Sequence, residues 1–200
     1  SRVISRRGFL KASLHVGLGL GSGGRAAFEY ATRVEPFWLS LEQAVVPLRG
    51  LDPALAGFRV ACLSDFHLRP GDATDLAGQA VARTNRLAVD LICLLGDYVL
   101  GSADAIEDLA PVLGGLHARH GVVGVLGNHD LWTDAQRVRA RLEGVGVRVL
   151  VNARITLEVG QRVLCVAGLD DGWSGSPDLA AALQGAPQGA PTILLMHEPD

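Results

Sequence analysis

The sequence has almost no lysine: among its 18 basic residues only Lys11 is one, and the other 17 are arginine. Together with an excess of alanine, glycine and leucine, this bias is read as base composition, and no function is attached to it. Cysteine is scarce as well. Cys62, Cys93 and Cys165 each lie in a short apolar run (RVACLSD, LICLLGD, RVLCVAG), and no CxxC spacing occurs. An odd count gives no complete disulfide framework, so the three read as buried free thiols on core strands rather than as redox or zinc chemistry. Internal repeats, low-complexity tracts and linkers are also missing beyond the N-terminal segment.

What is present suits one globular domain. Two hundred residues at 48% hydrophobic content can close a sizeable core, and 25 glycines with 9 prolines fit an α/β chain rich in tight turns. Disordered and collagen-like classes are excluded by the same figures. The formal charge of -3 hides an asymmetry, because Arg2, Arg6, Arg7, Lys11 and Arg25 all precede the first acidic residue, Glu29. That leaves 13 basic against 21 acidic residues in the body, or -8. An acidic body argues against a nucleic-acid partner, which needs clustered cationic side chains, and suits a domain that holds cations.

The N-terminal residues Ser5-Arg6-Arg7-Gly8-Phe9-Leu10-Lys11 precede a weakly apolar, glycine-rich stretch from Ala12 to Gly24. This segment, taken as residues 1–27, resembles a twin-arginine export signal. It is too short and too rich in glycine for a membrane span, which needs about 20 apolar residues. The resemblance implies the twin-arginine machinery as a partner, and a location in the periplasm or on the outer face of the cytoplasmic membrane. No clean A-x-A site follows. Cleavage near Ala26-Ala27 and retention as a membrane anchor are both open.

From 38 to 200 the chain reads as the main domain. Residues 37–48 alternate bulky apolar and polar side chains, as an edge strand would, up to Pro47. Residues 58–64 read as a buried strand, 75–88 as a helix, 91–95 as a second buried strand, 104–118 as a second helix and 122–126 as a third strand. Thr133 is the expected N-cap of a helix reaching about Glu143, followed by a strand at 147–151. A hairpin of 155–159 and 162–167 turns at Gly160-Gln161, and a short helix near 177–183 precedes a strand at 192–196. Strands alternating with helices predict an α/β fold with a mostly parallel sheet covered on both faces, and antiparallel additions late in the chain.

Open α/β sheets place ligands at the carboxyl ends of their strands, and there the polar residues gather. Asp65-Phe66-His67 follows the first buried strand, Gly96-Asp97 the second, Gly127-Asn128-His129-Asp130 the third and His197-Glu198 the last. Each alone has a plainer reading. Asp65-x-His67 suits a polar turn, Asp97 a helix cap, Asn128 a turn, and His129 and His197 satisfied loop or strand-end positions. Four such groups at successive strand ends, in order, point instead to metal ligands gathered in one cleft. In extended backbone residues i and i+2 point the same way, so Asp65 and His67 can reach one ion.

This series is similar to the signature of the calcineurin-like metallophosphoesterases, and with the leader and the tail LLMHEPD it looks like their exported bacterial phosphodiesterase branch. The resemblance implies a sandwich of mixed, largely parallel sheets flanked by helices, and a pair of divalent ions, manganese, iron or zinc. It implies Asp65 and His67 as ligands of one metal, Asp97 as a bridge, and Asn128 and His197 as ligands of the other. His129 would stand beside the scissile phosphate as a catalytic group, with Asp130 orienting its ring. A metal-bound hydroxide would then cleave a phosphodiester or pyrophosphate bond in a small phosphoester, nucleotide or lipid-headgroup substrate.

The family's final Gly-His-x-His turn has no counterpart before Asp200. The expectation is therefore a C-terminally truncated domain that hydrolyses poorly by itself. A noncatalytic metal-binding scaffold of the same fold is the alternative reading; competent residues at every ligand position within 1–200 favour the enzyme. His117 and His120 read as surface residues favouring the dipole at the end of the second helix. Asp170 and Asp171 fit either the rim of the cleft or a turn; Arg69, Trp132 and Trp173 are weaker candidates for substrate contact, Trp132 reading equally well as a packing residue.

Overall fold

A computed structural model describes residues 21–35 and 38–198. The chain divides into two compact units, Ser1–Val45 and Val46–Asp200. In the first, helix α1 spans Gly21–Arg33 and ends with the Val34 N–H donating to Tyr30 O at 2.9 Å. The Arg6-Arg7 segment lies outside the described residues. No helix among the described residues is long and apolar enough to cross a membrane.

The edge strand expected at 37–48 does not form. Residue 37 lies outside the described residues, and 38–48 make no sheet pairing. Trp38, Leu41, Val45, Val46 and Leu48 are all exposed. Alternation marks a strand only where a partner edge covers the apolar face, and no described strand does so here.

The second unit is built on two sheets. Strands β1 (Val60–Leu63), β2 (Leu91–Leu94), β3 (Val122–Gly124) and β4 (Arg148–Val149) form a fully parallel sheet in the order β1-β2-β3-β4. Strands β5 (Ala153–Val159), β6 (Arg162–Gly168) and β7 (Thr192–Leu195) form the other, with β5 antiparallel and β7 parallel to β6. The β5-β6 hairpin turns at Gly160, whose φ of 62° is the left-handed conformation such a turn requires.

The alternation of β2 shows how the layers assemble. All four of its residues are buried, but Ile92 and Leu94 pack into the cluster formed with the helices. Leu91 and Cys93 join the cluster that contains Leu157 of β5, Leu164 and Val166 of β6 and Leu195 of β7. The parallel sheet is thus covered by helices on one face and by the second sheet on the other, the sandwich expected of this chain. Helices α2 (Asp75–Asn85), α3 (Ile106–Leu113) and α5 (Ala135–Gly144) supply Val81, Leu109 and Leu142 to the helical side. Truncating one such buried side chain to alanine costs about 2–5 kcal/mol.

Several boundaries differ from expectation. β1 lies at the sheet margin and is half exposed, so Cys62 is exposed while Cys93 and Cys165 are buried. The second helix stops at Leu113 before Gly114-Gly115, which leaves His117 and His120 beyond the reach of its dipole; the His120 ring lies 5.6 Å from that of Phe58. The predicted cap at Thr133 is displaced by one residue. A short helix α4 (Asn128–Thr133) precedes α5, and Asp134 caps α5 by accepting the Arg137 N–H at 3.0 Å. Thr133 instead donates its hydroxyl to the His129 and Asp130 carbonyls, at 3.2 and 3.0 Å. A final helix, α6 (Leu179–Leu183), is capped by Asp178.

Candidate metal centre

The loops that leave β1, β2 and β3 lie side by side because the strands are parallel and adjacent. The Asp65 N–H donates to Gly96 O at 3.1 Å, the His67 N–H to Asp97 O at 3.0 Å and the Leu68 N–H to Tyr98 O at 3.1 Å, so the first two loops continue the sheet as a ladder. Extended geometry, the reason for expecting Asp65 and His67 on one ion, is nevertheless wrong. Asp65, His67 and Asp97 have φ of 57°, 46° and 55°, left-handed backbone that few residues other than glycine adopt. Their side chains converge through these turns.

Two glycines make room for the convergence. A Cβ on Gly96 would sit 2.6 Å from the Gly127 nitrogen, and one on Gly127 would sit 2.7 Å from the Asp97 nitrogen and collide with the Asp97 carboxylate. The loops after β2 and β3 therefore touch backbone to backbone. Asp130 joins them from beneath. Its fully buried carboxylate accepts the N–H of Asp97 and of Gly127 through Oδ2, both at 2.9 Å. Through Oδ1 it accepts those of Tyr98, at 2.9 Å, and Val99, at 3.3 Å. The expected role, orienting the His129 ring, is replaced by this one: four backbone amides occupy the carboxylate. Burial pushes the Asp130 pKa up to about 6 in spite of those amides, with the Asp97 charge adding to the rise.

Asp97 is at the centre, almost fully buried. Its Oδ1 accepts the His129 N–H at 2.9 Å, while Oδ2 faces both His67 Nε2 and His197 Nε2 at 3.3 Å. His67 Nε2 also lies 3.2 Å from Asp65 Oδ1. The donor atoms of Asp65, Asp97 and His197 form one group, and those of His67, Asp97 and His129 another, with all atoms of a group within 4.8 Å of one another. Asn128, the first residue of α4, is buried beside them. Four of the five residues expected as ligands, Asp65, His67, Asp97 and His197, thus stand together with His129, and Asn128 adjoins His129 in sequence. His67 and Asp65 stand with their donor atoms 3.2 Å apart, brought together by left-handed turns rather than by extended backbone.

The donor set fits cations. His197 Nδ1 lies 2.7 Å from Leu95 O, a contact that only a protonated Nδ1 satisfies, so a neutral ring turns the Nε2 lone pair toward Asp97. Lone pair facing carboxylate is repulsive unless a proton or metal stands between them. Burial opposes charge on His197, but the Leu95 carbonyl and the charges of Asp97, Asp65 and Asp171 prevail and raise its pKa. Asp65 is lowered: burial works against its charge, and bonds from Ser64 and His67, with the charges of His197 and His67, outweigh it.

Two residues left open by the sequence have firm places. Asp171 is fully buried, accepts the N–H of Trp173 and of Ser174 at Oδ1, and has no hydrogen-bond partner at Oδ2 among the described residues. Asp170 accepts the N–H of Asp171 and Ser176. Both therefore make a turn, and Asp171 is also close enough for its charge to act on His197. Arg69 begins an exposed turn, its N–H donating to Asp72 Oδ2 at 3.0 Å. Tyr98, which sequence reasoning passed over, is fully buried and donates its hydroxyl to Val125 O at 3.1 Å, fixing β3 to the second loop. Its position next to Asp97, where a polar ring follows an apolar strand, was the available signal.

Strand ends that gather carboxylate and imidazole groups of this kind form a candidate metal centre. The family model of the calcineurin-like phosphoesterases matches residues 58–200, and the chain belongs to that family. It is 32% identical over 168 residues to a transmembrane protein with a metallophosphoesterase domain from Bos taurus, covering 77% of this chain and 38% of that protein. Phosphodiesterase YaeI of Escherichia coli is 28% identical over 202 residues, 99% of this chain and 71% of that one. Metallophosphoesterase YkuE of Bacillus subtilis is 28% identical over 206 residues, 98% and 70% respectively. The chain spans about 38% of the length of the vertebrate relatives it matches.

Proposed function

We propose that the protein hydrolyses phosphodiester or pyrophosphate bonds with two divalent cations that share Asp97. The observation that carries this reading is the pair of ligand groups with one buried carboxylate in common. Asp65, Asp97 and His197 would hold one ion. His67, Asp97 and Asn128 would hold the other, with His129 beside them. Bound there, the ions would supply Lewis acidity toward a phosphoryl group and an acidified water as nucleophile, so no protein nucleophile is required.

The remaining work belongs to the chain. Asp97 would be shared by the two ions, and Asp130 fixes Asp97 by holding its N–H. His129, half-buried and flanked by His67 and Trp132, would stabilise the phosphoryl group or give a proton to the leaving oxygen. The likeness to phosphodiesterase YaeI supports a diester as substrate. Export by the twin-arginine route belongs to the same proposal and rests on Ser5–Lys11 alone. Replacing Arg6 and Arg7 with lysine should strand the protein in the cytoplasm, and unchanged export would discard that part.

The test is hydrolysis of bis(p-nitrophenyl) phosphate with manganese added, by the full-length mature protein and by its Asp97→Asn and His129→Ala variants. Manganese-dependent turnover that disappears in Asp97→Asn is the expected result. No turnover by protein shown to bind metal would refute the proposal.

A further inference from the structure

Two of the protein's three tryptophans stand beside the metal centre with large parts of their rings open to solvent. Trp132 is 54% exposed and Trp173 69% exposed. Neither is loose. Trp132 lies three residues after His129 on α4, the spacing that puts two side chains on one helical face, and their rings meet at 4.7 Å and 62°. Trp173 meets Trp132 edge to face at 5.4 Å and 75°, and His129 meets His67 at 4.8 Å and 78°. A row of four rings therefore leads from a metal-ligand histidine out to the surface.

The loop after β6 holds the outer end of this row. Trp132 Nε1–H donates to Ser174 Oγ at 2.7 Å. Asp171 Oδ1 accepts the N–H of Trp173 at 3.1 Å and of Ser174 at 2.6 Å, and Asp170 accepts those of Asp171 at 3.0 Å and Ser176 at 2.8 Å. A fully buried carboxylate thus anchors the stretch that carries an exposed indole. With its N–H already bonded to Ser174, Trp132 offers a visitor π surface rather than a hydrogen bond. Exposed aromatic area held rigidly beside a reactive centre is the arrangement that stacks a flat ligand.

We propose that Trp132 and Trp173 form a stacking subsite for the base of a nucleoside phosphoester, with its phosphoryl group directed to the Asp97 cluster. The assignment rests on the hydrolase reading above for its place beside the reaction, and narrows its substrate class. One sugar separates base from phosphate in a nucleotide, and one ring, His129, separates Trp132 from His67. The charge of the body, 13 basic against 21 acidic residues, opposes a polyanionic strand or an anionic membrane surface. A single nucleotide carries little charge, and stacking binds it without cationic side chains.

Indole fluorescence tests the subsite separately from catalysis. A Trp38→Phe background leaves emission from Trp132 and Trp173, and EDTA removes metal and turnover. Adenosine 5′-monophosphate is expected to quench this emission saturably, ribose 5-phosphate to leave it unchanged, and Trp173→Ala to weaken the nucleotide's affinity about tenfold, with Trp173→Phe restoring most of it. Equal responses to the two phosphates, or full affinity in both Trp173→Ala and Trp132→Ala, would overturn the subsite. So would a blue shift with phosphatidylglycerol vesicles alongside no response to the nucleotide, which would assign the indoles to lipid. Quenching as expected in a protein that never turns over bis(p-nitrophenyl) phosphate would keep the subsite and remove the diesterase reading; turnover without quenching would do the reverse.

Discussion

The Asp130 carboxylate accepts the Asp97 backbone N–H at 2.9 Å across 33 residues of sequence, tying the loop after β2 to the start of α4. Asp130→Ala removes the acceptor from four amides at once. Each orphaned buried donor costs about 1–3 kcal/mol, although water entering the space recovers part of it. We expect a loss of about 3 kcal/mol or more in urea denaturation, together with loss of metal binding by calorimetry. A variant that unfolds like the parent would show that the amides are satisfied otherwise.

Gly127→Ala addresses the same junction by crowding. The new Cβ would press on the Asp97 backbone nitrogen and carboxylate, and α4 cannot withdraw without releasing the Asp130 bonds. Manganese affinity is expected to fall by more than tenfold, measured at a temperature where circular dichroism shows the variant folded. Parent-like affinity would mean that the loops separate freely.

The metal-free fold should lose stability as pH rises from about 4 toward 8. Asp130 is raised from 3.8 to about 6, so its contribution is complete below 3.8 and lost as pH climbs through about 6. His197 is raised above 6.5; its contribution is complete below 6.5 and vanishes as pH passes its higher folded value. Cations that replace these protons should reverse the trend, so that the melting-temperature increase on adding manganese grows with pH. A constant increase from pH 5 to 8 would contradict this account.

How much of this was legible in the sequence depends on what each feature requires. The apolar runs at 91–95 and 162–167 and the turn at Gly160-Gln161 are local signals, and each formed close to where it was expected. The placement of Asp65, Asp97 and His129 at neighbouring strand ends followed from apolar runs of the same kind, because a parallel sheet brings its carboxyl ends together, whereas His197 follows β7 of the other sheet. Residues 37–48 failed because pairing depends on a partner that alternation cannot supply. The left-handed turns at Asp65, His67 and Asp97, and the use of Asp130 by amides, arise from contacts between distant loops. No short window of sequence contains them.

Cys62 should be the one readily modified thiol. It faces Cys93 in register across β1 and β2, and a hydrogen bond from the buried Cys93 thiol lowers Cys62 to about 7 despite partial burial; Cys93 is pushed up in turn. Titration with 5,5′-dithiobis(2-nitrobenzoate) should show one fast thiol with half-maximal rate near pH 7, absent in Cys62→Ser. A midpoint above 8.5 would mean that the Cys93 bond is not made.

The three left-handed residues in the metal centre also bear on how the chain can change over generations. Glycine would relax the backbone at Asp65, His67 or Asp97, each held in a conformation that costs of order 1 kcal/mol or more, yet it would remove a ligand. Selection for robustness alone would therefore push these positions toward glycine. Aspartate and histidine at these positions in this chain are what the proposed metal site requires, and lineages that had abandoned hydrolysis should reveal themselves first by glycines here.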